Sequence, residues 1–90
     1  MPGPRYPMPA SIVLIATPEG WRHSVQDTRG GMLCGRLAHV PADAAPDQAR
    51  AAAVAMLREV ARQIRGAEID VAWDAQEPLT GRVIAVRDRS

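Results

Sequence analysis

The fold of this chain is decided by residues Pro46–Arg65, PDQARAAAVAMLREVARQIR. Apolar side chains recur in this stretch at steps of three and four residues, which is the period of an amphipathic helix. Proline at its start and Gly66 after its end are typical helix boundaries, with Asp43 as a candidate N-cap. We therefore expect one long helix that covers a sheet with a stripe of Ala49, Ala53, Met56, Leu57, Val60 and Ile64.

The residues before this helix predict a three-stranded meander. Residues 11–17, SIVLIAT, are continuously apolar and rich in β-branched side chains, which favours a central strand. Residues 21–27 alternate between apolar and polar side chains, as in a strand with one wet face. Residues 32–40 predict a third strand, interrupted by a bulge near Gly35. Both connections contain glycine and suit tight reversals.

Two further strands are expected after the helix, in residues 67–74 and 82–87. Both carry apolar side chains, and the first alternates strictly. One register satisfies the apolar pairs and a charged pair together, with the partners Ile69–Val86, Val71–Ile84 and Glu68–Arg87. The predicted fold class is therefore α+β: an antiparallel sheet of about five strands in β-β-β-α-β-β order, with one amphipathic helix on one face.

Length and composition indicate a single small domain. The 90 residues cannot support two cores, so we expect a flexible proline-rich arm in residues 1–10 and one α+β domain in residues 11–88. A net charge of +1 gives no general attraction to nucleic acid or to an anionic membrane. The single Cys34 excludes an intrachain disulfide, and the apolar run of residues 12–16 is too short for a signal-peptide core or a membrane span, so we expect neither export nor membrane insertion. We expect a cytoplasmic protein without membrane contact.

The arginines of the helix are the first candidate binding site. Arg58, Arg62 and Arg65 follow i, i+4, i+7 spacing and predict a basic ridge beside the apolar stripe. Arg22 and Arg36 would extend this ridge if the strands carried them to the same edge. Such a ridge suits contacts with phosphate groups, so nucleic acid is an alternative partner.

Two other groups of residues suggest chemistry. Cys34 with His23 or His39 resembles a nucleophile and its base, but the flanking sequence lacks an activating motif, and free cysteine is usually a buried hydrophobe. The strand expected in residues 67–74 also carries three carboxylates on one face, which suit a hard cation but are more often the solvated face of a strand: Glu68, Asp70 and Asp74. We assign no catalytic residue, metal ligand or cofactor.

The sheet is expected to be wider than its helical cover. Trp21 and Trp73 lie on the faces predicted to point inward, yet one helix does not span five strands. We therefore expect a small non-enzymatic binding, regulatory or accessory protein that acts through homodimerisation or a protein partner. The alternatives are a nucleic-acid-binding protein that uses the arginine ridge, and a small enzyme or metal binder that uses the acidic strand or Cys34.

The element order from about Ser11 to Trp73 is similar to that of small antitoxin and RNA-binding-like domains, including the HicB-like antitoxins. This resemblance implies a β-β-β-α-β arrangement. The glycine-rich stretch usual before the helix of HicB-like antitoxins is replaced here by Pro41-Ala42-Asp43. Because the resemblance contains no diagnostic residue, it implies no binding or catalytic site.

Overall fold

The computed structural model describes residues 7–86, which form an antiparallel sheet with one helix packed against it. The strands follow the spatial order β3-β2-β1-β5-β4. This confirms the predicted α+β class and the predicted bounds of the helix. The elements are β1 (Pro9–Thr17), β2 (Gly20–Asp27), β3 (Met32–Arg36), α1 (Pro46–Arg65), β4 (Ile69–Trp73) and β5 (Thr80–Ala85).

Strand β1 starts two residues before the predicted strand. Residues 1–6 of the predicted arm lie outside the described residues, whereas Pro9 and Ala10 belong to β1. Pro9 is the first residue of the strand, and the register with β2 shifts between Pro9 and Ser11. A proline is tolerated at a strand start or a bulge because no ladder hydrogen bond is needed from it there.

Strand β3 ends at Arg36, so the prediction of a strand over residues 32–40 was too long. Leu37 still donates to the Trp21 carbonyl at 2.8 Å, but β2 begins at Gly20 and offers no further partner. The chain then turns through His39, whose φ is 64°. The predicted bulge near Gly35 was also wrong, because Gly35 pairs with His23 in an unbroken register.

The predicted register of β4 and β5 was wrong by one residue. Ile69 pairs with Ala85 and Val71 pairs with Val83, while the predicted partner Ile84 lies opposite Asp70. The physical reason is the bulk of Trp73, which lies opposite Gly81. A Cβ atom at Gly81 would come within 2.5 Å of Val71 Cγ1 and 2.9 Å of Trp73 Cε3, so the glycine makes room for both side chains. The predicted pairing of Glu68 with Arg87 lies outside the described residues.

Helix α1 packs mainly against β4 and β1. Its predicted stripe is confirmed at Ala49, Ala53 and Leu57, which are buried, whereas Val60 is exposed and Ala61 is buried in its place. Gly66 ends the helix with a φ of 61°, as predicted. Asp43 is not the N-cap. The helix starts after Ala45, whose backbone N–H donates to the Gln48 side chain at 3.1 Å.

The core lies between α1 and one face of the sheet, here called the inner face. Alternate residues of each strand point inward, including the predicted Trp21, His23 and Val25 of β2. The indole nitrogen of Trp21 donates to the Ala44 carbonyl at 3.2 Å, which ties the segment before α1 to the sheet. Trp73 packs at the margin of the same core.

Within residues 7–86, α1 is the longest helix, and no helix there is apolar enough over a sufficient length to cross a membrane.

Candidate functional site

Two of the three predicted ridge residues, Arg58 and Arg62, line a groove between α1 and the start of β4, whereas Arg65 is exposed in the last turn of the helix. The groove has a volume of about 490 Å³ and is lined by charged residues of both signs, namely Arg58, Arg62, Glu59 and Glu68. Arg62 forms an ion pair with Glu59, one helical turn away. That contact and the Gln63 amide lower the pKa of Glu59 by stabilising its charged form. The groove therefore carries balanced rather than basic charge.

Arg58 is directed toward β4. Its Nε donates to the Ile69 carbonyl at 3.3 Å, and a terminal nitrogen lies 3.3 Å from Asp70. Both partners of this ion pair are about half exposed, so it contributes roughly 0–1 kcal/mol. Its larger consequence is geometric, because the Arg58 guanidinium hydrogen-bonds to the Ile69 carbonyl, a backbone acceptor at the edge of the sheet.

Arg22 and Arg36 do not extend the ridge. They lie opposite each other on β2 and β3, on the face of the sheet away from α1, here called the outer face. Arg82 of β5 is also exposed. It lies on the outer face because it pairs with Ser11, which lies on that face. The structure thus separates the arginines into a helix set and a sheet set on opposite sides of the core.

The cysteine and the histidines are not brought together. Cys34 is exposed on the outer face, with Sγ 3.5 Å from Ser24 Oγ, so it is not the buried hydrophobe that free cysteine usually is. His23 points to the inner face, and His39 lies in the turn after β3. The arrangement gives Cys34 no imidazole base.

The acidic strand residues are also separated. Asp70 accepts from Arg58 and from the Val71 N–H, and Asp74 accepts from the backbone N–H groups of Gln76 and Glu77. Glu68 lies before the start of β4. Within residues 7–86, no group of three or more His, Cys, Asp or Glu side chains is close enough to hold a metal ion.

His23 is a buried polar residue of the inner face. It is 8% exposed, and its Nδ1 has no hydrogen-bond partner among the described residues. Burial, followed by the positive charge of Arg22, lowers the pKa of His23. A Cβ atom on the facing Gly35 would lie 3.4 Å from its Nε2, so the imidazole fills the space that this glycine leaves. His23 therefore acts as a neutral core side chain.

The outer face of the sheet is the surface that sequence reasoning described least well. Val13 and Ile15 of the central strand β1 are 40% and 47% exposed there, and no helix of residues 7–86 covers them. The signal was present in SIVLIAT, because a strand that is apolar on both faces needs two covers and the sequence offers one helix. The predicted incomplete cover concerned the face that carries α1, so the exposed apolar residues of the outer face were not predicted.

The large apolar side chains with the highest exposed fractions belong to β3. Met32 is 63% exposed on the outer face, and Leu33 is 69% exposed although it points to the inner face. Leu33 is exposed because α1 packs over β4 and β1 rather than over this edge. Poor alternation in residues 32–36 is the sequence feature that corresponds to this uncovered edge, and the bulge that it predicted near Gly35 is absent.

Comparison with known proteins adds no assignment, since no protein-family model, curated protein or solved structure matches this chain.

Proposed function

We propose that this chain is a small non-enzymatic binding protein that acts through homodimerisation or a protein partner, in the cytoplasm. The observation that carries the proposal is the concentration of exposed apolar side chains on the uncovered part of the sheet. The most exposed of them, Met32 and Leu33, are adjacent residues of β3. Exposed apolar side chains at an uncovered sheet edge favour contact with another protein.

The absence of a coherent reactive set among residues 7–86 favours binding over catalysis. Cys34 has no base, the carboxylates act as turn and edge acceptors, and His23 is enclosed in the core. The exposed thiol of Cys34 suits a reducing compartment, which supports the cytoplasmic assignment.

Sedimentation velocity over a concentration series tests the proposal. We expect the weight-average sedimentation coefficient to rise from that of a monomer to that of a dimer, and the same rise for Arg65→Glu, a control substitution on the helix surface. If the chain stays monomeric at high micromolar concentration, its function depends on a different protein, and homodimerisation is excluded.

Nucleic-acid binding through Arg58, Arg62 and Arg65 has weaker support. Arg58 and Arg62 each contact a carboxylate, which leaves less charge for phosphate. This alternative predicts an affinity for DNA or RNA that falls steeply with salt and is lost in Arg62→Glu, Arg65→Glu. Fluorescence anisotropy with a labelled oligonucleotide measures it, and salt-insensitive or undetectable binding would exclude it.

A further inference from the structure

The free edge of β3 has backbone groups available for another strand. The backbone groups of Gly31 and Leu37 hydrogen-bond to β2. Since hydrogen-bonding direction alternates along an antiparallel strand, Leu33 and Gly35 also bond inward. Met32, Cys34 and Arg36 therefore direct their N–H and C=O groups away from the sheet. Within residues 7–86, no hydrogen bond reaches these outward groups.

The edge also lacks the features by which proteins protect such strands. Strand β3, MLCGR, contains no proline, lysine or bulge, and its one charge lies at its last residue. Exposed Met32 and Leu33 add apolar side chains on both faces of the same edge. An unprotected apolar edge of this kind favours strand addition.

We propose that a second copy of this chain adds to the edge, with β3 antiparallel to β3 about a two-fold axis at Cys34. The inference rests on the proposed function, because it assigns the surface through which the homodimer forms. The two five-stranded sheets would then join into one continuous sheet, with both helices on the same side. The hydrogen-bonded pairs are Cys34 with Cys34 of the second copy, and Met32 with Arg36 of the second copy in both directions.

Side-chain volume selects this register. It places Leu33 of each copy opposite Gly35 of the other, on the inner face. Leu33 is mostly exposed and Gly35 has no side chain, so neither Leu33 meets a facing side chain that it would clash with. A two-fold axis at Cys34 also pairs β3 over its whole length, Met32–Arg36, whereas other hydrogen-bonding registers leave part of the strand unpaired.

Charge favours a second copy at the edge over packing of two outer faces. In the proposed register each Arg36 lies opposite Met32, and the two Arg36 residues are about 13 Å apart along the strand direction. Face-to-face packing would instead bring two sets of Arg22, Arg36 and Arg82 into one interface. Like charges without partners in an interface are costly.

An apolar groove lies beside the same edge. It has a volume of about 350 Å³ and is lined by residues of the β3 end and of α1, including Leu37, Ala52 and Met56. The proposed register carries Gly31 of the second copy to Leu37, at the mouth of this groove. The second copy would therefore shield part of the apolar surface that α1 leaves open on the inner face.

Two matched substitutions test which surface associates. Leu33→Lys places a charge at the β3 edge, and Ile15→Lys places the same charge on the outer face, at a position that is 47% exposed. We expect Leu33→Lys to weaken dimerisation in sedimentation velocity by at least about tenfold, and Ile15→Lys to leave it unchanged. The reverse result would overturn the edge proposal in favour of face-to-face association. Near-native circular dichroism of both variants verifies that they fold.

Cysteine cross-linking tests the register. Opposed Cα atoms in a hydrogen-bonded antiparallel pair are about 5.5 Å apart, which is within the range for a disulfide. With diamide, which takes up the two thiol hydrogens, we expect the natural Cys34 to give a covalent dimer that retains the sedimentation behaviour of the non-covalent one.

Two single-cysteine variants provide the matched control for the register. On a Cys34→Ser background, Met32→Cys alone and Arg36→Cys alone should each cross-link poorly, because like positions are about 13 Å apart. A mixture of the two variants should form the mixed disulfide efficiently. Efficient self-linking of Arg36→Cys, with none in the mixture, would overturn the register.

The outcomes separate this inference from the proposed function. A dimer that survives Leu33→Lys and does not cross-link at Cys34 would overturn the β3 interface but retain homodimerisation. A strict monomer in sedimentation would remove both.

Discussion

The two edges of the sheet are closed to different degrees. At the β4 edge, Ile69 is 4% exposed, its carbonyl accepts from Arg58, and the neighbouring Val71 N–H donates to Asp70 at 2.8 Å. At the β3 edge, the equivalent inward-pointing residue Leu33 is 69% exposed, and no side chain among residues 7–86 bonds to the outward backbone groups. The chain itself thus occupies two outward backbone groups of the β4 edge, whereas those of the β3 edge are available to a partner.

The connections of α1 explain this difference. Only residues 66–68 separate the end of the helix from β4, and such short connections keep consecutive elements adjacent. Residues 37–45 join β3 to the helix, which is long enough for the helix to start away from β3. The helix therefore lies near β4 and leaves β3 at the margin, so loop length decides which edge remains open.

The largest expected effect is a difference in stability between substitutions of the inward-pointing residues at the two edges, Ile69 and Leu33. Ile69→Ala should lower the free energy of unfolding by about 2–5 kcal/mol because it leaves a cavity under α1. Leu33→Ala should change it by less than about 0.5 kcal/mol because the side chain is already in water. Urea denaturation at low protein concentration, where association does not contribute, measures both values. Equal losses would show that β3 is as well packed as β4.

A smaller effect is expected from the glycines beside the two edges. Gly81→Ala should destabilise the fold by about 1–3 kcal/mol, because its Cβ would overlap Val71 and Trp73. Gly35→Ala, whose Cβ would lie 3.4 Å from His23, is the matched control and should cost less than about 0.5 kcal/mol. The same denaturation measurement applies. A tolerated alanine at position 81 would contradict the role of this glycine in setting the β4–β5 register.

The smallest effect is a pH dependence from His23, which faces β3. The pKa of His23 is lowered by burial and by Arg22, so the unfolded chain binds more protons than the folded one near the ordinary value of 6.5. The contribution of His23 to the free energy of unfolding should therefore be complete above pH 6.5. It should decrease as the pH falls from 6.5 toward the folded-state pKa.

Thermal unfolding between pH 8 and pH 5 measures this dependence. His23→Leu should remove the contribution, whereas His39→Asn, at an exposed position with a φ of 64°, should retain it. A gain of stability on acidification would show that His23 is stabilised in its charged form.

Local patterns predicted the elements well. The period of residues Pro46–Arg65 and the left-handed Gly66 depend on nearby residues alone, and both are confirmed. The β4–β5 register was missed because it depends on a clash between Trp73, Val71 and any side chain at position 81, which hydrophobic pairing does not contain. The end of β3 was missed because a strand continues only as long as its neighbour β2 offers partners.

The candidate sites were less predictable than the fold. Helical spacing placed Arg58, Arg62 and Arg65 on one surface, but it did not predict that Arg58 contacts Asp70 and the β4 backbone. Spacing also gave no indication that Arg22 and Arg36 lie on the opposite side of the sheet from α1.

One amphipathic helix and an antiparallel sheet with more apolar surface than the helix covers can be predicted from the amino-acid sequence, because residue period depends on neighbouring residues alone. Which surface stays uncovered cannot be predicted in this way. That choice depends on the strand order β3-β2-β1-β5-β4 and on the position of α1 over β4 and β1. Both follow from long-range pairing and connection length, which bring together residues far apart in the chain and leave β3 as the open edge.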